Sequence, residues 1–303
     1  MLFRSYRLHG GDLIWEIGSG YFGCRDAQGH FDPEKFAAQA RGVPEGVDCV
    51  SPAAHSRFST PLELLAFVQE LRTLSQGKPV GMKLCIGHPW EWFGIVHAML
   101  HSGIRPDFIV IDGAEGGTGA APLEFSDHMG TPMQEGLRLV HNTLVGVGLR
   151  EHIRLGASGK IISAFDVART LALGADWCNS ARGFMFALGC IQAQTCHTGN
   201  CPTGVTTQDP KRQIALVVPD KAQRVLHFHH HTLEALKELL EAAGLHQPQD
   251  LALRHIMRRV SDTESRPLSD LFTQLPPNAL LEGAGTLPAP FNQYPMASAS
   301  RFA

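Results

Sequence analysis

The strongest constraint on how this chain folds is the order of its apolar runs between Val47 and Ser180. Five short runs, at residues 47–51, 80–85, 108–111, 153–156 and 177–180, alternate with longer segments that carry helix signals. Runs of that length suit strands, and a helix-length spacer between two of them calls for a crossover connection rather than a hairpin. The spacers are punctuated as helices. Thr60-Pro61-Leu62-Glu63 predicts a capping box, Leu62, Leu65, Val68 and Leu71 supply one apolar face, and Gly77 ends the segment. A second helix is expected from Pro89 to about His101 with a stop at Gly103. A third starts at Thr131-Pro132-Met133-Gln134, read as another capping box, and runs to about Val147; Ser163 with Asp166 caps a fourth that ends at Gly174. The class is therefore α/β with a parallel sheet, and right-handed crossovers bring the loops after the strands to one face. Upstream, residues 14–17 read as a short strand and Asp32-Pro33 as a helix start.

Those shared-face loops carry the candidate chemistry. The loop at 112–122 holds four glycines with Glu115 and Thr118, which permits positive φ and a close approach of backbone to a ligand. Ser158 and Gly159 after the fourth run, and Ser180 and Ala181 after the fifth, are small residues at strand ends, the pattern of a phosphate cradle. Lys83 lies inside an apolar strand, where a cation turned to the core is costly without an anion, so its side chain is expected in the site or against a carboxylate. Three of the seven cysteines, Cys190, Cys196 and Cys201, fall in one short loop that ends at Pro202. That spacing suits an iron–sulfur cluster; zinc with His197 as fourth ligand and unliganded core thiols are the alternatives. His227, His229, His230 and His231 precede Leu233, Leu236, Leu239 and Leu240 and read as the polar face of an amphipathic helix rather than a ligand set. No GxSxG or HExxH motif is present, which leaves serine-hydrolase and zincin chemistry without support.

At 303 residues with 44% hydrophobic content, the chain is long enough for one large barrel or two ordinary domains. A net charge of -3 gives no reason to expect nucleic acid or an anionic membrane as partner. An odd number of cysteines fits a reducing compartment better than a disulfide scaffold. With no membrane-length apolar run and no secretion-type start, the expected location is the cytoplasm.

Lys83, the Asp112-Gly113-Ala114-Glu115-Gly116-Gly117-Thr118-Gly119 loop, the 141–150 segment from His141 to Arg150 and the cysteine loop at 189–208 together resemble the FMN-binding domain of the glutamate synthase family, in particular its stand-alone members. The resemblance runs from about Gly10 to Gln208 and more weakly to about residue 265. It implies a (β/α)8 TIM barrel of the FMN-linked oxidoreductase type, of which the last five strands are recognisable. It also implies FMN and a [3Fe–4S] cluster as cofactors, the latter on Cys190, Cys196 and Cys201. Lys83 is similar to the lysine beside the flavin, Glu115 is placed with it as a catalytic residue, Gly117, Thr118 and Gly119 fall by flavin and substrate, and Ser158, Gly159, Ser180 and Ala181 hold the phosphate. The activity implied is reduction of a 2-oxoglutarate-derived imine to glutamate with electrons passed through the cluster. A partner follows from this, an electron-donor protein or an amidotransferase subunit.

This sequence departs from the family pattern at its start: counterparts of the first three barrel strands, one of them due between Ala40 and Arg41, are not recognisable. The expected layout is a segment at 1–45, a barrel portion at 46–210, and a helical extension with a tail at 211–303. An electron-carrier module or non-catalytic remnant that keeps the cluster loop is the alternative reading.

Overall fold

The computed structural model describes the backbone of residues 4–7, 13–16, 24–25 and 31–32, and in full residues 55–115, 126–207, 209–282 and 286–302, with only the backbone of His197. The strand expected at 47–51 and the helix expected from Pro33 lie outside the described residues.

Four of the five expected core strands are present as β5 (Val80–Leu84), β6 (Phe108–Asp112), β7 (Arg154–Ser158) and β8 (Trp177–Asn179). Each pairs with the next in parallel, as the helical spacers require. On the other side of β5 stands β2 (Leu13–Glu16), also parallel to it, followed by its antiparallel partner β1 (Arg4–Arg7). The sheet order is thus β1-β2-β5-β6-β7-β8. The place beside β5 is taken by a strand from the segment expected to precede the barrel portion. β3 (Cys24–Arg25) and β4 (Phe31–Asp32) form a separate two-stranded ladder.

The crossovers are helices α1 (Pro61–Leu74), α2 (Pro89–Ser102), α3 (Met133–Gly146) and α4 (Ala164–Ala172). Two begin as their sequences dictate. The Thr60 side chain accepts the N–H of Glu63 at 3.2 Å while the Glu63 carboxylate accepts the N–H of Thr60 at 3.1 Å, and Ser163 with Asp166 repeats the pair on α4. The third expectation fails. Pro132 occupies the N-cap of α3 and no side chain there caps the helix.

Successive strand residues face opposite sides of the sheet, and the two sides differ. Met82, Leu84, Ile109, Ile111, Leu155 and Ala157 point to the helices and lie in one apolar core with Leu65, Phe93, Leu137 and Val140. A fully buried side chain of this size contributes about 1.5–3 kcal/mol. The opposite side carries Gly81, Lys83, Phe108, Val110, Asp112, Gly156, Ser158, Trp177 and Asn179, by the register of the four strands. Phe108 and Trp177 meet edge to face with centroids 6.0 Å apart. Gly81 and Gly156 make room for them: a Cβ on Gly81 would run into the Phe108 ring, and one on Gly156 into the Trp177 ring.

Beyond the sheet come α5 (Arg182–Leu188), α6 (Pro210–Gln213) and α7 (Val218–Ala242). Leu236 and Leu240 of α7 are buried, with Leu236 packed on Ala164 and Ala168 of α4, while Leu233 and Leu239 stay exposed. Its histidines 227 and 229–231 are solvent-facing, as the polar-face reading expects. The C-terminal segment straps α1 to α2. Phe291 and Tyr294 pack on Phe93, the His97 ring stacks on Tyr294 and bonds its carbonyl at 2.9 Å, and the Leu62 N–H donates to the Ala299 carbonyl at 3.1 Å. No helix among the described residues is long and apolar enough to cross a membrane.

Candidate functional site

The C-terminal ends of β5 to β8 turn polar on the side away from the helices. Asp112, Ser158 and Asn179 are register partners on three adjacent strands, and Lys83 sits one pair lower on β5. Lys83 Nζ lies 2.8 Å from Asp112 Oδ2, with 15% and 26% of the two side chains exposed. Strand alternation explains the lysine in an apolar run: Met82 and Leu84 take the core face, and Lys83 is left for the other. Below this row the Phe108–Trp177 pair forms an apolar floor.

Glu115, expected as a catalytic residue, stands at the start of α3. Its carboxylate accepts the Met133 N–H at 3.0 and 3.2 Å and so caps α3 in place of the missing side-chain cap. Glycines allow it to tuck in. A Cβ on Gly113 would clash with the Glu115 carboxylate, and one on Gly159 would lie 2.7 Å from Met133 Cβ and 2.9 Å from the carboxylate. The Gly113 N–H donates to the Ser158 carbonyl at 2.8 Å, which ties the start of the glycine loop to the end of β7. Cys85, just past β5, has its thiol pushed up to about 11 by burial and then by Asp112, so it carries its proton at neutral pH.

Ser158 and Gly159 follow β7, and Ser180 and Ala181 follow the neighbouring β8, so the two halves of the expected cradle stand on adjacent strand ends. The Ser180 hydroxyl donates to the Ile161 carbonyl at 2.8 Å, linking the two loops. Lys160 pairs at the surface with Asp127. Gly117, Thr118 and Gly119 lie outside the described residues.

The cysteine loop leaves α5 through Gly189, whose φ of +112° needs a glycine. Cys190, Cys196 and Cys201 then line one small cavity of about 10 Å³. Burial of the Cys201 thiol, which alone would raise its pKa, is outweighed by hydrogen bonds from Thr203 and the Thr206 backbone, which bring it to about 6. Three thiols around one cavity, one of them favouring the thiolate, fit an iron–sulfur cluster in donor type. The cavity is only about the size of one water, and among the described residues no three His, Cys, Asp or Glu side chains stand close enough to hold a metal ion. A cluster requires this loop to widen.

Asp112 reads as the first residue of the glycine loop and Asn179 as the start of the stretch completing the cradle, but neither motif gives their place in this polar row. The signal that finds them is parity: each is a polar residue closing an apolar strand, in phase with the residues that face away from the helices.

Residues 13–246 match the family model described as the conserved region in glutamate synthase. The glutamate synthase large subunit-like protein YerD of Bacillus subtilis is 39% identical over 306 aligned positions, covering 89% of this chain and 58% of that protein. The archaeal glutamate synthase [NADPH] of Methanocaldococcus jannaschii is 35% identical, covering 82% of this chain and 48% of that one. This chain thus spans roughly half the length of these relatives. Among solved structures, the recombinant flavin-binding domain of baker's yeast flavocytochrome b2 overlaps 84% of this chain and 48% of that chain at 13% identity, with a TM-score of 0.41. On the extent of the family match and the identity to its relatives, the chain belongs to the glutamate synthase family.

Proposed function

We propose that the chain is the FMN-binding portion of a glutamate synthase-type oxidoreductase, with its site over the polar strand ends of β5 to β8. The observation that carries this reading is the Lys83–Asp112 pair on the side of the sheet away from the helices, in a chain of this family. Bound there, FMN would supply two-electron transfer and a [3Fe–4S] cluster one-electron transfer. The protein's own groups do the rest. Lys83 supplies a cation beside the ring, where negative charge gathers on reduction, and Asp112 holds that cation in place. Ser158, Gly159, Ser180 and Ala181 take the phosphate, with Asn179 beside them on β8. Gly117, Thr118 and Gly119 border flavin and substrate. Glu115 acts by holding its loop against α3. Cys190, Cys196 and Cys201 are the cluster ligands.

The substrate is a 2-oxoglutarate-derived imine, reduced to glutamate. The electron donor is a nicotinamide or a ferredoxin, the two that relatives' names print, and an amidotransferase subunit is the proposed source of ammonia. A cytoplasmic location and a barrel portion at 46–210 with an extension at 211–303 belong to the same proposal.

An anaerobic absorbance spectrum of the purified chain, with iron and flavin analysis, tests it. Flavin near one per chain, reduced in Lys83→Met, supports the reading. Iron–sulfur absorbance without flavin makes the chain an electron-carrier module instead, and the absence of both overturns either assignment. Cys196→Ser is expected to lose iron while keeping FMN; unchanged iron content sinks the ligand assignment.

A further inference from the structure

We propose that the cavity between α3, the end of α4 and α7 is a binding site for a small oxyanion, a carboxylate or a phosphate, seated on the guanidinium of Arg138. This cavity, about 1070 Å³, is lined by neither Lys83 nor Asp112; of the groups given to the candidate site, only Ser180 and the floor residue Trp177 border it. Its volume is of the order of small-molecule sites.

The argument rests on charge. Arg138 is 6% exposed, and no carboxylate among the described residues lies within ion-pair distance of it. Its terminal nitrogens donate to the Leu173 carbonyl at 3.1 Å, the Asn142 side chain at 3.0 Å and the Thr273 carbonyl at 3.2 Å, while its Nε is buried without a hydrogen-bond partner. Carbonyl dipoles satisfy hydrogen bonds but do not neutralise a full charge, and a desolvated cation without an anion is costly. Burial pulls even this guanidinium down to about 10.

The surroundings add positive charge. Arg150 and Arg154 line the same cavity and share one carboxylate, Asp176, at 2.9 and 3.4 Å. His141, which accepts from Arg150 Nε at 3.2 Å, is driven down to about 3 by burial and by Arg138 and Arg150, so it stays neutral. Among the described residues, three guanidiniums stand against one carboxylate, which leaves the cluster short of negative charge. Planar guanidinium donors suit the oxygens of a carboxylate or a phosphate.

The test is thermal unfolding of the whole chain titrated with inorganic phosphate and, separately, with butyrate, against sodium chloride at equal ionic strength. A site gives a saturable rise in Tm with at least one of the two probes that sodium chloride does not reproduce. Saturation by phosphate alone identifies a phosphate ligand, and by butyrate alone a carboxylate. Arg138→Gln is expected to weaken the saturating probe at least tenfold, whatever its own baseline Tm. Should that variant fail to fold, Leu233→Trp, at an exposed position on the cavity wall, decides by the same titration and is expected to weaken binding as well. No saturable shift in the unmodified chain, or full affinity retained in the variant that folds, overturns the proposal and leaves Arg138 a staple between α3, Leu173 and Thr273.

Discussion

Asp112 at the end of β6 holds the ammonium of Lys83 from the neighbouring β5 at 2.8 Å, and the pair lies on the side of the sheet away from α1 to α4. Both side chains are mostly buried, so removing one leaves the other poorly solvated. Lys83→Met and Asp112→Asn are each expected to cost about 1–3 kcal/mol, below the 3–5 of a fully buried pair because water reaches this one. The double variant should lose less than the sum of the singles. Urea denaturation of the four proteins measures the coupling; strict additivity means the two groups do not stabilise one another.

Gly156 is expected to reject a side chain because Trp177 fills the space over it. Gly156→Ala should destabilise by about 1–3 kcal/mol through overpacking, and Trp177→Leu added to it should recover part of the loss. Thermal unfolding reads both, and tryptophan fluorescence reports whether the indole has moved.

Capping offers a comparison of a local with a long-range device. Ser163→Ala removes the hydroxyl that accepts the Asp166 N–H and should cost about 1 kcal/mol. Glu115→Ala removes the acceptor for the Met133 N–H and should cost about 1–2 kcal/mol, and it also frees the glycine loop from α3. Limited proteolysis is then expected to cut near residue 115 in Glu115→Ala and not in Ser163→Ala.

The pH dependence of stability follows from two groups. His141 is lowered from 6.5 to about 3 by burial and by Arg138 and Arg150. The unfolded chain therefore takes up this proton first, so stability is fully present above about 6.5 and drains as pH falls from there toward 3, with a slope on the order of 1.4 kcal/mol per pH unit. For Asp166, burial alone would raise the carboxyl, but hydrogen bonds from Ser163 and Ile162 and the charge of Arg169 win and lower it from 3.8. Its contribution is present above 3.8 and is lost below that, as pH falls through the lower folded value. His141→Gln should flatten the slope between pH 6 and about 4, and denaturation measured across that range checks it.

Much of the architecture is legible in local patterns. The runs at 80–85, 108–111, 153–156 and 177–180 became β5 to β8 with ends shifted by one or two residues, and Thr60 and Ser163 cap as their sequences say. The run at 14–17 became β2, but its place beside β5 was not readable, because pairing between distant strands leaves no trace in the spacing of either. Thr131 looked like a cap and is not one: Pro132 takes the N-cap, and Glu115 comes from 18 positions away to accept the helix N–H. The candidate site shows the same division. Lys83 stood out as a cation in an apolar run, while Asp112 read as the first residue of a glycine loop.

The sequence by itself determined the alternation of strands and helices, the parallel sense of β5 to β8, the caps built from residues three apart, and the grouping of Cys190, Cys196 and Cys201 in one loop. Periodicity, capping and spacing act between neighbours in the chain, so neighbours suffice to read them. The tertiary structure decided which anion answers Lys83, that Glu115 serves α3, that Tyr294 meets His97 across 197 positions, and that Arg138 is buried with no carboxylate among the described residues beside it. Charge compensation and burial depend on which distant groups share a volume, and only packing brings those groups together.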